Sequence, residues 1–118
     1  MSDDTIVQRP WGQYQKLYQE CGVWVKRVEL LPGERISLQT HQCRSEKWVV
    51  VAGEGIVTVN SYTVPVVHGS TIDIPCTSLH RIANTGIGPL IFIEVACGDN
   101  LTEDDIERYD DDYARELK

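Results

Sequence analysis

The sequence predicts an all-β domain of the jelly-roll kind, in which antiparallel strands form a sandwich or barrel. About nine or ten short runs rich in β-branched and aromatic residues follow one another along the chain. Turns rich in glycine, proline and asparagine separate these runs at close spacing, and no helical pattern stands between them. With 118 residues, 42% of them hydrophobic and 25% charged, the chain fits one globular domain.

The N-terminal part of the chain contains the first predicted strands. We expect the polar residues 1–8 to form a disordered N-terminus, followed by a loop in which Trp11 anchors the chain to the domain body. Strands are predicted at residues 14–18, 23–31 and 36–41, the last after a Pro32-Gly33 turn. Alternation along that strand places Ser37, Gln39 and His41 on one face.

Short strands and tight turns make up the rest of the predicted barrel. Trp48–Ala52 is a continuous apolar run, which favours a strand buried on both faces. Further strands are predicted at residues 56–59, 62–67, 71–74, 79–84 and 90–96. Thr102 and the acids after it resemble the N-cap and first turn of a short helical segment around Ile106. These boundaries predict a β-barrel over residues 9–98 and an acidic C-terminal segment over residues 99–118.

The charge distribution argues against several classes of partner. The net charge is −7, and residues 99–118, with nine acids and three bases, supply −6 of it. An acidic, solubilising tail without a basic run argues against nucleic acid or an anionic membrane surface as partner. The sequence shows no signal peptide and no apolar run long enough to cross a bilayer. Because its four cysteines lack CxxC pairing, we expect a cytoplasmic protein with free thiols.

Two stretches of the chain, residues 33–53 and 69–84, carry a set of metal-ligand side chains. The set consists of Gln39, His41, Glu46 and His80. An amide, two imidazoles and a carboxylate suit one divalent metal, such as zinc, manganese, cobalt or iron. A single histidine is more often a polar residue satisfied inside a barrel, but four such positions together favour a metal site.

The spacing of these residues resembles the two sequence signatures of the cupins. The first signature is a glycine, five residues, H-x-H, three or four residues, a glutamate, six residues and a glycine. It is matched by Gly33, Gln39-Thr40-His41, Glu46 and Gly53, with Gln39 in place of the first histidine. The second is matched by Gly69, Pro75, His80 and Asn84, with Thr77 in place of its middle glycine. The resemblance implies the cupin double-stranded β-helix and a metal held at positions 39, 41, 46 and 80.

Residues 9–115 also resemble the type II mannose-6-phosphate isomerase cupin, the C-terminal part of bifunctional mannose-1-phosphate guanylyltransferase/phosphomannose isomerases. The resemblance rests on Arg9-Pro10-Trp11-Gly12, Ser37-Leu38-Gln39, Arg44, Trp48-Val49-Val50, His80-Arg81 and Glu103-Asp104-Asp105-Ile106. It implies metal-dependent interconversion of mannose 6-phosphate and fructose 6-phosphate through an enediolate. Guanylyltransferase activity is not expected, because the sequence has no nucleotidyltransferase half and no glycine-rich phosphate loop.

Three basic residues are candidate catalytic groups. Arg44 stands at the family's arginine position, and its fork suits a phosphate or an enediolate oxygen. Lys47 is a candidate for binding phosphate or sharing the base role, against the alternative of a solvated surface charge. Arg81 matches the family, but strict alternation places it on the opposite strand face from His80, which leaves a structural role open.

Departures from the family keep other functions open. Gln42, Cys43 and Lys47 stand where the family usually has histidines. The alternatives are a sugar-binding or small-molecule-binding cupin without turnover, and a cupin enzyme acting on a different substrate. An iron dioxygenase with three histidine ligands would need histidine at position 39, so Gln39 counts against that activity. We expect a sugar phosphate as ligand and no nucleic acid or membrane partner. By analogy with the family we also expect a homodimer, for which exposed strand edges and the Trp11 segment are the candidate contacts.

Overall fold

The computed structural model describes residues 6–115, which form eleven β-strands. In chain order these are β1 (Ile6–Arg9), β2 (Gly12–Glu20), β3 (Val23–Leu30), β4 (Leu38–Thr40), β5 (Ser45–Ala52), β6 (Gly55–Val59), β7 (Tyr62–Val66), β8 (Thr71–Ile74), β9 (His80–Asn84), β10 (Leu90–Cys97) and β11 (Glu107–Asp110). Within this range there is no helix, and therefore none that could span a membrane. The predicted all-β class is confirmed.

The strands form two antiparallel sheets that pack face to face. The six-stranded sheet has the order β1-β2-β3-β10-β5-β8, and the five-stranded sheet has the order β11-β4-β9-β6-β7. Both sheets contribute to one buried cluster, in which Trp48 and Phe92 lie with ring centroids 4.7 Å apart. The interleaved order of early and late strands is that of the double-stranded β-helix.

Alternation along the strands separates the interior from the surface. In β5, the side chains of Glu46, Trp48 and Val50 face inward. Val49 and Val51, on the other face of β5, are 42% and 40% exposed, so the prediction that Trp48–Ala52 is buried on both faces is wrong. Apolar β-branched residues also suit the outer face of a pleated strand, which is why composition alone misled here.

Left-handed backbone conformations occur at several of the signature positions. Gly53 has φ +86°, and a Cβ there would lie 2.4 Å from the carbonyl oxygen of Pro89, so only glycine fits. Thr77, which replaces a signature glycine, has φ 68° and an exposed side chain. Its amide donates to the carbonyl of His41 at 2.9 Å, which ties the β8–β9 turn to the end of β4.

The two ends of the chain differ from their predictions. β1 begins at Ile6, inside the stretch expected to be disordered, and residues 1–5 lie outside the described range. The predicted helical segment near Ile106 is wrong, because a turn over residues 102–106 leads into β11, which pairs with β4. The acids that resemble a first helical turn bond to the barrel instead. Asp105 accepts hydrogen bonds from the amides of Gln42 and Cys43, each at 2.8 Å.

All four cysteines are free, as the sequence predicts, and all four are exposed.

Candidate metal centre

A cavity between the two sheets brings the predicted ligands together. Donor atoms of His41, Glu46 and His80 all lie within 4.8 Å of one another. The three side chains are at most 3% exposed. They come from the end of β4, from β5 and from β9, so both sheets contribute to the cluster.

Backbone carbonyls fix the two histidine rings. Nδ1 of His41 lies 2.6 Å from the carbonyl oxygen of Asp105, and Nδ1 of His80 lies 2.9 Å from that of Ser78. Because a carbonyl oxygen only accepts hydrogen bonds, each Nδ1 carries the hydrogen and each Nε2 has a lone pair. Metal-binding histidines are commonly oriented in this way.

Both rings are neutral at neutral pH. Burial, with the nearby Arg44 guanidinium, lowers the pKa of His41 to about 3. Burial likewise lowers the pKa of His80. A neutral imidazole is the form that binds a metal ion, so the two residues need not lose a proton to act as ligands.

Glu46 supplies the negative charge of the cluster and is held on both oxygens. Its Oε1 accepts a hydrogen bond from Trp48 Nε1 at 2.8 Å, and its Oε2 accepts one from Arg44 Nε at 2.9 Å. Nη2 of Arg44 also lies 3.2 Å from Nε2 of His41. The Arg44 guanidinium, a cation, therefore contacts two atoms that would bind a metal ion, Oε2 of Glu46 and Nε2 of His41. The donor set thus suits a cation.

Gln39 lies next to His80 across the β4–β9 pair and is 9% exposed. Its Nε2 donates to the carbonyl oxygen and to Oγ of Ser37, at 3.2 and 3.0 Å. With the amide nitrogen used in this way, Oε1 is the atom left to serve as a ligand. Gln39 lines the same cavity as His41, Glu46 and His80, so the fold brings all four predicted positions together.

The predicted catalytic residues do not all reach the cavity. Arg44 lines it, is 7% exposed, and is also held by the carbonyl of Thr102 at 3.2 Å. Lys47 points outward from β5, with its side chain 74% exposed and paired with Asp73 at 3.0 Å. We therefore correct its assignment to the site, because inward Glu46 and Trp48 leave the residue between them on the outer face.

Arg81 also lies outside the cavity, so its catalytic assignment is corrected too. It is buried on the face of β9 opposite His80, where Nε donates to the carbonyl of Ile36 at 2.8 Å. Its Nη1 and Nη2 donate to the side chain and the carbonyl of Asp110, each at 3.0 Å. Arg81 therefore joins β9 to the chain before β4 and to β11, which is the structural role left open by the alternation.

Glu94 is a cavity residue that the sequence analysis did not single out. It is 8% exposed, and Oε2 accepts a hydrogen bond from Trp24 Nε1 at 2.8 Å. Burial, with the negative charge of Glu46 as the next cause, raises the pKa of Glu94 to about 7. The available signal was a glutamate on the inward face of an otherwise apolar strand, β10.

Three further arginines, Arg9, Arg108 and Arg115, line the same cavity. Arg108 belongs to β11 and lies opposite Gln39 across the β11–β4 pair. The sequence analysis did not single out Arg108 or Arg115, because their position depends on a strand that it predicted as helical.

Comparison with known proteins gives a family match over most of the chain. The family described as "Mannose-6-phosphate isomerase C-terminal" matches residues 1–111. The alginate biosynthesis protein AlgA of Pseudomonas aeruginosa is 44% identical over 109 residues, which are 92% of this chain and 23% of that protein. Mannose-1-phosphate guanylyltransferase ManC of Salmonella typhimurium is 42% identical over 109 residues, with the same two shares. The chain thus spans about a quarter of the length of these curated relatives.

Solved structures share the fold at low sequence identity. The capsular polysaccharide assembling protein CapF of Staphylococcus aureus aligns with a TM-score of 0.76 at 19% identity, over 89% of this chain and 34% of that one. The Cnp3 cupin domain of Schizosaccharomyces pombe aligns with a TM-score of 0.74 at 17% identity, over 83% and 72% of the two chains. These likenesses show a cupin fold and carry no functional argument.

Proposed function

The chain belongs to the mannose-6-phosphate isomerase C-terminal family, and we propose that it is a metal-dependent isomerase that interconverts mannose 6-phosphate and fructose 6-phosphate. The observation that carries the proposal is the buried cluster of His41, Glu46 and His80, whose donor atoms lie within 4.8 Å of one another. Arginines in the same cavity suit an anionic sugar. The family description supports the choice of this reaction, and the buried cluster supports a metal-dependent mechanism.

Gln39, His41, Glu46 and His80 would hold one divalent cation, with zinc, manganese, cobalt and iron(II) as the candidates. When bound, such a cation polarises the sugar carbonyl and orients the neighbouring hydroxyl. The protein's own contribution is to hold the two imidazoles neutral through burial and to fix them on backbone carbonyls. Trp48 and Arg44 fix both oxygens of Glu46 in the same way.

Arg44 is the proposed stabiliser of the negative charge that develops on the enediolate oxygen. Its guanidinium is held by Glu46 and by the carbonyl of Thr102, so it is oriented before a substrate arrives. A preorganised cation in a site with little water stabilises developing charge more than a mobile one does. The interconversion also moves a proton between C1 and C2 of the sugar, which needs a base in the same cavity.

Glu94 is the proposed base. Trp24 holds its Oε2, and the side chain lines the cavity beside the metal-ligand cluster. In its ionised form it would take the proton from C2 of the aldose, and as the acid it would return that proton to C1. The hydroxyl proton of O2 passes to O1 in the same exchange, so that C2 becomes the carbonyl carbon of the ketose. A pKa of about 7 suits both halves of this exchange at neutral pH.

The departures from the family at positions 42, 43 and 47 lie outside the cavity. Gln42 and Cys43 are exposed and line a separate surface depression, and Lys47 is on the outer face of β5. None of these three positions lines the cavity, which weakens the alternative of a binding protein without turnover.

The decisive test is a coupled assay of fructose 6-phosphate formed from mannose 6-phosphate. Metal-stripped protein is assayed alone and then with zinc, manganese, cobalt or iron(II) added back. We expect metal-dependent turnover that falls by roughly 100-fold in Arg44→Ala, a loss typical of a removed charge-stabilising group. Arg27→Ala, on the outer face of β3, is the matched control. Bound metal without turnover would contradict the isomerase and favour a binding cupin or a different substrate.

A further inference from the structure

We propose that Arg9, Arg108 and Arg115 form the phosphate-binding subsite of the cavity and orient the sugar by its C6 end. This inference rests on the proposed function, because it assigns a place to the phosphate of that substrate. Mannose 6-phosphate and fructose 6-phosphate carry the same C6 phosphate, so one subsite serves the reaction in both directions.

The first step of the argument is that the three guanidinium groups converge. All three side chains line the cavity that contains the metal-ligand cluster. The pKa of Arg108 is lowered by burial and by the charge of Arg115, is raised by Asp111, and is lowered further by Arg9, which agrees with their common place in the cavity. Like charges gathered at a partly buried site repel one another, and a bound anion relieves that repulsion.

The second step is an unused donor. Nε of Arg108 is buried and has no hydrogen-bond partner in the described part of the chain. Buried donors in native proteins are nearly always paired, so an orphaned one indicates a missing acceptor. A phosphate oxygen is an acceptor that matches a guanidinium in both charge and geometry.

The third step concerns the acids nearby, which in the described residues form ion pairs with Arg115 and Lys26 rather than with Arg9 or Arg108. Asp111 pairs with Arg115 at 2.8 Å, and Glu103 pairs with Lys26 at 2.6 Å. Among residues 6–115, Arg9 donates to uncharged oxygens, the carbonyl of Gln8 at 3.0 Å and the hydroxyl of Tyr14 at 3.5 Å. Over residues 6–115, neither Arg9 nor Arg108 forms an ion pair, so two of the three positive charges remain available to an anion.

The fourth step relates the subsite to the metal-ligand cluster. Arg108 lies opposite Gln39 across the β11–β4 pair, and such cross-strand neighbours have Cβ atoms about 5 Å apart. The reacting C1 and C2 atoms lie at the other end of the hexose from its phosphate. A phosphate held by the arginines therefore leaves that end free to reach His41, Glu46 and His80 within the same cavity.

The test uses inorganic phosphate as the probe, so that binding is measured without turnover. Calorimetric titration compares the 118-residue chain with Arg108→Gln, Arg9→Gln and the outer-face control Arg27→Gln. We expect Arg108→Gln to weaken phosphate binding by about tenfold or more, as loss of a charged hydrogen-bond partner does. The KM for mannose 6-phosphate should rise by a similar factor with kcat nearly unchanged, and Arg27→Gln should behave as the wild type.

The outcomes separate the subsite from the isomerase. Unchanged phosphate affinity in folded Arg108→Gln overturns the subsite, even if the wild type turns over mannose 6-phosphate. Phosphate binding that depends on Arg108 in a protein without turnover supports the subsite and contradicts the isomerase. If circular dichroism shows that Arg108→Gln does not fold, Arg9→Gln decides, because its position in β1 lies outside the β11–β4 pair.

Discussion

The carbonyl groups of Asp105 and Ser78 set the chemistry of the cluster at the level of single atoms. Each accepts a hydrogen bond from Nδ1 of one histidine and so leaves Nε2 of that ring as the atom able to bind a metal ion. The cluster then contains one charged donor, Glu46, and its negative charge is the main electrostatic attraction for a dication.

Replacing Glu46 by glutamine should therefore weaken metal binding by at least about tenfold. Glutamine keeps an oxygen for the Trp48 indole but removes the charge that faces Arg44 and the metal. Metal content is measured by elemental analysis after equilibration with a competing chelator. Glu29→Gln, on the outer face of β3, is the control. Wild-type metal content in folded Glu46→Gln would refute the ligand assignment.

Glu94 should make stability depend on pH in an unusual direction. Its pKa is raised from 4.5 in the unfolded chain to about 7 in the folded protein. Between these values the folded protein holds a proton that the unfolded chain has released, so stability from this group falls as pH rises through the window. Below pH 4.5 this loss of stability is absent, and above about pH 7 it has reached its full size.

Glu94→Gln has no proton to lose at this position. We expect its Tm relative to that of the wild type to rise steadily between pH 4.5 and 7 and to level off above pH 7. Thermal melts followed by circular dichroism across this range measure the difference. A Tm difference that stays flat or falls with pH would contradict the raised pKa.

At the scale of elements, the β8–β9 turn contains stored strain. Thr77 has φ 68°, a conformation that is unfavourable for a β-branched residue, and its exposed side chain adds little packing. Thr77→Gly should stabilise the fold by about 0.5 to 1 kcal/mol, the relief of strain less the greater unfolded-state entropy of glycine. Chemical denaturation measures the change.

Thr71→Gly is the matched control for this turn. Thr71 is exposed within β8, where glycine should destabilise the strand. Equal destabilisation by the two substitutions would show that the turn at Thr77 is not strained.

Replacement by glutamine should lower the stability of the protein at Arg81 and have little effect at Lys47. Arg81→Gln removes buried hydrogen bonds that join β9 to neighbouring segments, and should destabilise the protein by about 1 to 3 kcal/mol. Lys47→Gln should change stability by less than about 0.5 kcal/mol and leave turnover unchanged, because its ion pair is on the solvent-facing side of β5. Denaturant unfolding and the isomerase assay together test both, and a large loss of turnover in Lys47→Gln would restore its catalytic assignment.

The strands that form the site show how much of it could be predicted from the sequence. Two signatures in register were enough to place Gln39, His41, Glu46 and His80 at one site, because fixed spacing on paired strands determines which side chains meet. β11 was missed because its acidic start resembles a helix N-terminus, while its strand conformation depends on pairing with β4, far away in the sequence. Arg108 could not be found without that pairing.

At the scale of the whole molecule, the homodimer expected by family analogy stays a prediction. The Trp11 segment, one of its two supports, packs into the chain's own core, since Trp11 is 8% exposed. Strand edges remain at β1 and β8 in one sheet and at β11 and β7 in the other. Size-exclusion chromatography with light scattering should give twice the mass of one chain, and a single-chain mass would contradict the dimer.

The contact between His41 and Asp105 also has a consequence for biosynthesis. The carbonyl that orients His41 is synthesised 64 residues after it. Chains leave the ribosome from the N-terminus, and domains fold as units during synthesis. A nascent chain that extends as far as His80 therefore contains all four proposed ligand side chains, but it still lacks the Asp105 carbonyl that orients His41. We therefore expect a chain synthesised only as far as His80 to bind a metal ion more weakly, by about 10- to 100-fold, than one that already includes Asp105.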